Sequence, residues 1–170
     1  MGKNMKIFVS ALLVTSSFFG LAFLEAPKVK TEDLQRLTGA RWTGTLTYAD
    51  YGTNKKVSIP SNLTVTRSAA NKLSWVFEYQ YPDEPKANSK ATVTIGKDGT
   101  TIDGEKVIER TRLAGDTLRI VTEKTGPDNN KNALFRFTYL LSATSFSIKK
   151  EVRYEGAAEF FERNQYSWQR

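Results

Sequence analysis

Leu37-Thr38-Gly39-Ala40-Arg41-Trp42-Thr43-Gly44-Thr45-Leu46-Thr47-Tyr48-Ala49-Asp50-Tyr51 holds the architecture of the chain in miniature. It opens on the end of a short helical pattern at Gly39 and then alternates. Trp42, Gly44, Leu46 and Tyr48 fall on one face, and Thr43, Thr45 and Thr47 on the other. A period of two with one apolar face predicts a half-buried antiparallel strand.

The pattern repeats downstream. Val57, Ile59, Leu63 and Val65 alternate, with Pro60 an irregularity suited to an edge or a bulge. Leu73, Trp75, Phe77, Tyr79 and Tyr81 share a face in the most aromatic strand. Ala91, Val93 and Ile95 make the next, and Glu105–Leu113 and Thr117–Thr125 follow. Ala133, Phe135, Phe137, Tyr139 and Leu141 share a face. So do Phe146, Ile148, Val152 and Tyr154, with Lys150 among them, and in the last strand Phe160, Tyr166 and Trp168.

The punctuation is local. Tyr51-Gly52-Thr53-Asn54, Ser68–Asn71, Lys97-Asp98-Gly99, Asp103-Gly104 and Ala114-Gly115-Asp116 read as tight turns. Pro82–Ser89 and Gly126–Lys131 read as polar loops. The one helical pattern is Thr31–Leu37, with Thr31 as its cap, acids in its first turn and Gly39 as its stop; Pro27–Lys30 ahead of it reads as a linker.

Eight to ten short strands joined by hairpins predict an all-β meander. Such a meander leaves two open edges unless its first strand pairs with its last. We therefore expect an antiparallel up-and-down barrel over residues 27–170, with a β-sandwich as the alternative. Closure brings Trp42 beside Trp168 and Arg170, with Arg163 as the fallback partner if a bulge near Gly156 or Asn164 shifts the parity. The helix then covers the same end.

Composition limits the chemistry. The chain has 170 residues with no cysteine and no histidine. Disulfides, thiolate metal sites, cysteine nucleophiles and imidazole bases are all excluded. No cofactor, metal site or catalytic residue is expected, and the chain reads as a non-enzyme. The formal charge of +7 is spread among acids rather than clustered, so no nucleic-acid partner is expected. Asp128-Asn129-Asn130 offers loop oxygens for calcium but lacks a full loop signature, and a plain turn is favoured. Asp83-Glu84 are sequence neighbours in a loop and give no acid–base pair.

Residues 1–26 differ from the rest. Lys3 and Lys6 precede an uncharged run from Ile7 to Leu24. This reads as an export signal, giving a periplasmic or secreted domain. An uncleaved membrane tether through 7–24 is the alternative. Removing 1–26 takes away Lys3, Lys6 and Glu25, leaving 23 basic minus 17 acidic residues, or +6.

The short helix ending in Leu37, Gly39 and Trp42 at the start of strand one, and Trp168 and Arg170 at the end of the last strand, resemble the lipocalin-like or calycin barrels. The chain is expected to be a monomer, and the resemblance implies a barrel that binds a small, mostly hydrophobic molecule inside. It gives Trp42, Trp168 and Arg170 a structural closing role. Tyr48, Trp75, Tyr79, Tyr81, Tyr139 and Tyr154 are the candidate lining of such a cavity, with rings packing an apolar ligand and hydroxyls orienting it. Glu109, Arg110, Lys124 and Lys150 are candidates to project inward and meet a carboxylate or other polar headgroup. The competing reading is a structural or interaction domain of the cell envelope, its barrel filled by large side chains and its function carried by loops.

Overall fold

The structure, a computed structural model, describes residues 25–50, 52 and 55–170. The export or tether segment 7–24 and most of the turn at 51–54 lie outside the described residues.

Ten strands follow the short helix α1 (Thr31–Gln35). They are β1 (Arg41–Ala49), β2 (Lys56–Arg67), β3 (Ser74–Gln80), β4 (Ser89–Thr94) and β5 (Thr101–Ile102). Then come β6 (Glu105–Arg112), β7 (Leu118–Asp128), β8 (Lys131–Leu141), β9 (Ser145–Tyr154) and β10 (Phe161–Gln169). All pair antiparallel in one sheet, ordered β4-β3-β2-β1-β10-β9-β8-β7-β6-β5. The fold is a nearly closed up-and-down barrel, as the alternation predicts, and the sandwich is set aside.

Two joints make the ring. The first is the ladder between β1 and β10, which sets Gly44 opposite Trp168 and Leu46 opposite Tyr166. The second lies between the end of β4 and β5. Here the Ile95–Ile102 bridge is flanked by Gly96 N–H to Thr101 O and Asp103 N–H to Thr94 O, at 2.9 and 2.8 Å. Beyond this second joint, Ser89–Val93 of β4 pair only with β3, and Lys124–Asp128 of β7 pair only with β8. Lys86, Lys90 and Pro127 stand on or beside these two free edges, residue types that discourage strand addition. Pro60 is tolerated without a bulge because β2 has outrun β3 there: β3 ends at Gln80, opposite Asn62.

The core fills the half of the barrel covered by α1. Trp42, Trp75, Phe77, Phe146 and Trp168 are each no more than 1% exposed. Phe146 stacks on Trp168 at 5.3 Å and meets Trp42 and Phe77 edge-on at 6.3 Å. The Trp42 indole N–H donates to Leu37 O at 2.9 Å, which ties the first strand to the helical turn.

Four local expectations are corrected. Thr31 is the first helical residue rather than the cap, and its hydroxyl donates to the Glu32 carboxylate. The backbone N–H of Lys30, the true cap, is instead received by Asp33 Oδ2 at 2.8 Å. Pro27–Lys30 is more than a linker, since Val29 is buried and its N–H donates to Gly99 O at 2.8 Å. Gly126–Lys131 is not a loop: β7 and β8 stay paired down to Asp128–Lys131, and the turn is Asn129-Asn130 alone. Both asparagines have positive φ, 49° and 60°, which suits a two-residue hairpin turn of matching twist. Finally, Phe160 does not share the inner face with Tyr166 and Trp168. The register of β10 against β9 shifts between Glu162 and Asn164, so residues ahead of the shift change sides. Phe160 lies outside, with the guanidinium carbons of Arg136 and Arg153 at 4.0 and 5.0 Å from its ring centroid.

Candidate functional site

The two halves of the barrel differ in what the inward positions do. Near α1 they are sealed. Towards the opposite end the inner positions are mixed. Ala133, Phe135 and Val152 form a second, small buried cluster, whereas others of the same parity are half-buried, namely Leu46 and Tyr48 on β1, Val57 and Ile59 on β2, and Tyr79 on β3. Phe137 on β8, Ile148, Lys150 and Tyr154 on β9, and Asn164 and Tyr166 on β10 complete the set. These partly accessible inner side chains give this half of the barrel, called the cup below, a less filled interior above a solid aromatic floor.

One wall of the cup is tyrosine. The Tyr81 and Tyr166 hydroxyls share a hydrogen bond of 2.8 Å. Tyr166 stacks on Trp168 at 4.9 Å, and Tyr79 lies 5.4 Å from Tyr166 and 6.2 Å from Trp168. Burial pushes the Tyr79 and Tyr166 hydroxyls above the ordinary phenol range, so both are neutral donors at any physiological pH.

A second wall is ionic. Asp128 receives the Tyr154 hydroxyl at 2.8 Å and pairs with Arg163, and Arg163 also donates to the Tyr154 oxygen at 2.8 Å. Burial alone would raise the Asp128 carboxyl, but the Tyr154 and Arg163 hydrogen bonds hold it below the usual carboxylate range. Asp128 is therefore a rim anchor for the β10 bulge, and the residues of the 128–130 turn are bound up in a plain hairpin.

At the base of the cup, Glu105 is buried. It accepts the Thr122 hydroxyl at 2.6 Å and pairs with Lys124 Nζ at 2.8 Å. Tyr139 packs nearby, its hydroxyl raised well above the ordinary phenol range chiefly by burial. Lys150 enters from β9, opposite Phe137 on β8 and Asn164 on β10. Its Nζ stands 4.8 Å from the Phe135 ring centroid and 5.9 Å from that of Phe137, while Lys124 Nζ is 5.4 Å from Phe137.

The candidate lining thus divides. Tyr48, Tyr79, Tyr81 and Tyr154 stand around the cup, and Tyr139 at its base. Trp75 is in the sealed half, fully buried, with Arg67 5.6 Å from its ring. Of the inward candidates, Lys124 and Lys150 face the cup. Arg110 turns instead to α1, donating to both Asp33 oxygens at 2.8 Å. Glu109 sits on the outer face, paired with Arg119 at 2.8 Å. Trp42 and Arg170 meet at the sealed end, where the guanidinium covers the indole, and Trp168 joins them through Phe146, which lies against both indoles. Tyr166 and Glu105 complete the site beyond the expected set. Both were open to inspection, since Tyr166 alternates with Trp168 and Glu105 with Val107.

At the rim, a groove of 740 Å³ lies between the ends of β7, β8 and β9 and shares Tyr154 with the cup. Among the described residues, no group of three or more acidic side chains is placed to hold a metal ion.

Fold and site together define a nearly closed antiparallel β-barrel with one solid half and one less filled, mixed aromatic and charged half. No protein-family model matches the chain, and no curated protein matches it.

Proposed function

We propose that this is a non-enzymatic binding protein whose cup holds a small, mostly hydrophobic molecule, in the manner of the lipocalin-like barrels. The observation that carries this reading is the half-buried state of Tyr79, Phe137, Ile148 and Tyr166, which face inward over a sealed floor. Apolar surface kept accessible inside a concave wall is surface a ligand can cover, at about 25 cal/mol per Å². The covering of the sealed end by α1 and by the Arg170–Trp42 contact supports the family resemblance. Export to the periplasm or the medium follows if residues 1–26 act as a signal, which N-terminal sequencing of the secreted protein tests.

Native mass spectrometry of the purified chain tests the binding role. A small molecule that co-purifies and leaves on unfolding is the expected result. A bare chain that also fails to take up any apolar probe would replace this reading with that of a structural domain. The solid aromatic half favours that second reading, which would place function on outer features such as Pro82–Asn88.

A further inference from the structure

Among the described residues, Lys124, Lys150 and Arg163 bring positive groups to the cup, and two of them are matched. Lys124 is held by Glu105 at 2.8 Å, and Arg163 by Asp128. Asp103, in the turn beside the cup floor, spends a carboxylate oxygen on the Thr94 backbone N–H at 2.7 Å. Lys150 is the odd one. Among the described residues it makes neither an ion pair nor a hydrogen bond, and its Nζ stands against the faces of Phe135 and Phe137.

An ammonium in that position costs free energy. Burial pushes Lys150 below the ordinary lysine value. The Asp128 and Glu105 charges only partly offset this, and Lys124 and Arg163 push the same way as burial. Half-buried charges are normally paired. Lys150 and Lys124 both lie within reach of the Phe137 ring, at 5.9 and 5.4 Å, and are near enough for Lys124 to oppose the Lys150 charge, so an anion between the two ammonium groups would meet both.

We propose that the cup takes an amphiphile carrying a carboxylate or phosphate, its anionic oxygens on Lys150 with Lys124 beside it. Its apolar tail lies along Tyr79, Ile148 and Tyr166. This rests on the cup being a binding site and adds the class of molecule it selects. The headgroup supplies the charge that Lys150 lacks, and the tail covers the half-exposed wall.

Calorimetric titration of the purified chain at neutral pH tests it, with decanoate, decyl phosphate, decanol and inorganic phosphate as probes. The wild-type chain should bind decanoate or decyl phosphate about tenfold or more tightly than decanol. Whichever of the two is preferred identifies the headgroup as carboxylate or phosphate. Lys150→Met should bring the charged probes down to the affinity of decanol, and continued binding of decanol shows that the variant is folded. Lys150→Arg should keep most of the preference. Equal binding of decanol and both anions by the wild type overturns the headgroup and leaves the cup standing, as does a preference that survives Lys150→Met. Inorganic phosphate binding as tightly as decyl phosphate overturns the amphiphile. If none of the decyl probes binds, the cup reading falls and the headgroup falls with it.

Discussion

The guanidinium carbon of Arg170 lies 4.6 Å from the centroid of the Trp42 ring, joining the end of the last strand to the start of the first. The same guanidinium donates to Ala143 O at 2.7 Å and to Arg36 O at 3.4 Å, so it also laces the β8–β9 turn to the end of α1. Arg170→Ala should cost about 1–2 kcal/mol, the scale of a cation–π contact with two exposed hydrogen bonds. Trp42→Ala empties a fully buried site and should cost about 3–5 kcal/mol. Urea titrations of both variants check the ranking.

Asp33 and Arg110 form a two-pronged pair between α1 and β6, with Asp33 almost fully buried. Hydrogen bonding to Asp33 holds the Arg110 pKa above its ordinary value. Arg110→Met strands a buried carboxylate and should cost about 3–5 kcal/mol. Adding Asp33→Leu to it should recover much of that loss. A double-mutant cycle in urea measures the coupling, and strict additivity would count against the pair.

Gly44 is the point where β1 passes closest to β10. A Cβ built there would stand 1.9 Å from the Ser167 carbonyl oxygen, a backbone atom that cannot turn aside. Gly44→Ala should therefore cost about 3 kcal/mol, at the upper end of overpacking. Its effect should concentrate on the β1–β10 ladder. Amide exchange should speed up at Thr45, Thr47 and Ser167 before it does on β7 and β8.

The pH profile should carry opposite contributions from two aspartates. Asp128 is depressed in the fold, so its stabilisation is present above the unfolded carboxylate value and fades as pH falls through the lower folded value. Asp103 is raised, first by burial, so the folded state takes up its proton before the unfolded chain does and gains stability on acidification. Asp128→Asn should flatten the loss of stability below about pH 4, and Asp103→Asn should steepen it. Urea midpoints across the acid range read both slopes.

Much of this was legible because a strand declares its two faces. The alternation from Trp42 to Tyr48 and that of Tyr166 with Trp168 put the right residues inside, and antiparallel closure then placed Arg170 on Trp42. Lys150 was visible on the inner face for the same reason. Sequence pattern lost its hold where register slips. The shift after Glu162 sends Phe160 outside, and another between Val107 and Glu109 sets which acid of β6 faces in. That Glu105 meets Lys124 while Lys150 meets no carboxylate is a matter of three-dimensional register, and no period in the chain encodes it. Asn129-Asn130 hid a hairpin because asparagine reads as loop, although its tolerance of positive φ is what the two-residue turn requires.

The ladder between β1 and β10 joins residues as far apart as Thr43 and Gln169, separated by 126 positions, whereas the other ladders join neighbours in the chain. The entropy of closing so long a loop falls almost entirely on that one ladder. Hairpins on either side can form early, but the ring waits for its ends. Until they meet, the face bearing Phe146, Tyr166 and Trp168 has no covering wall, and the unpaired edges of β1 and β10 are open to other chains. The slow step of folding and the window for aggregation are thus the same event. A chain tied across that ladder, between residues near 43 and 169, should fold faster and aggregate less without a change in its final structure.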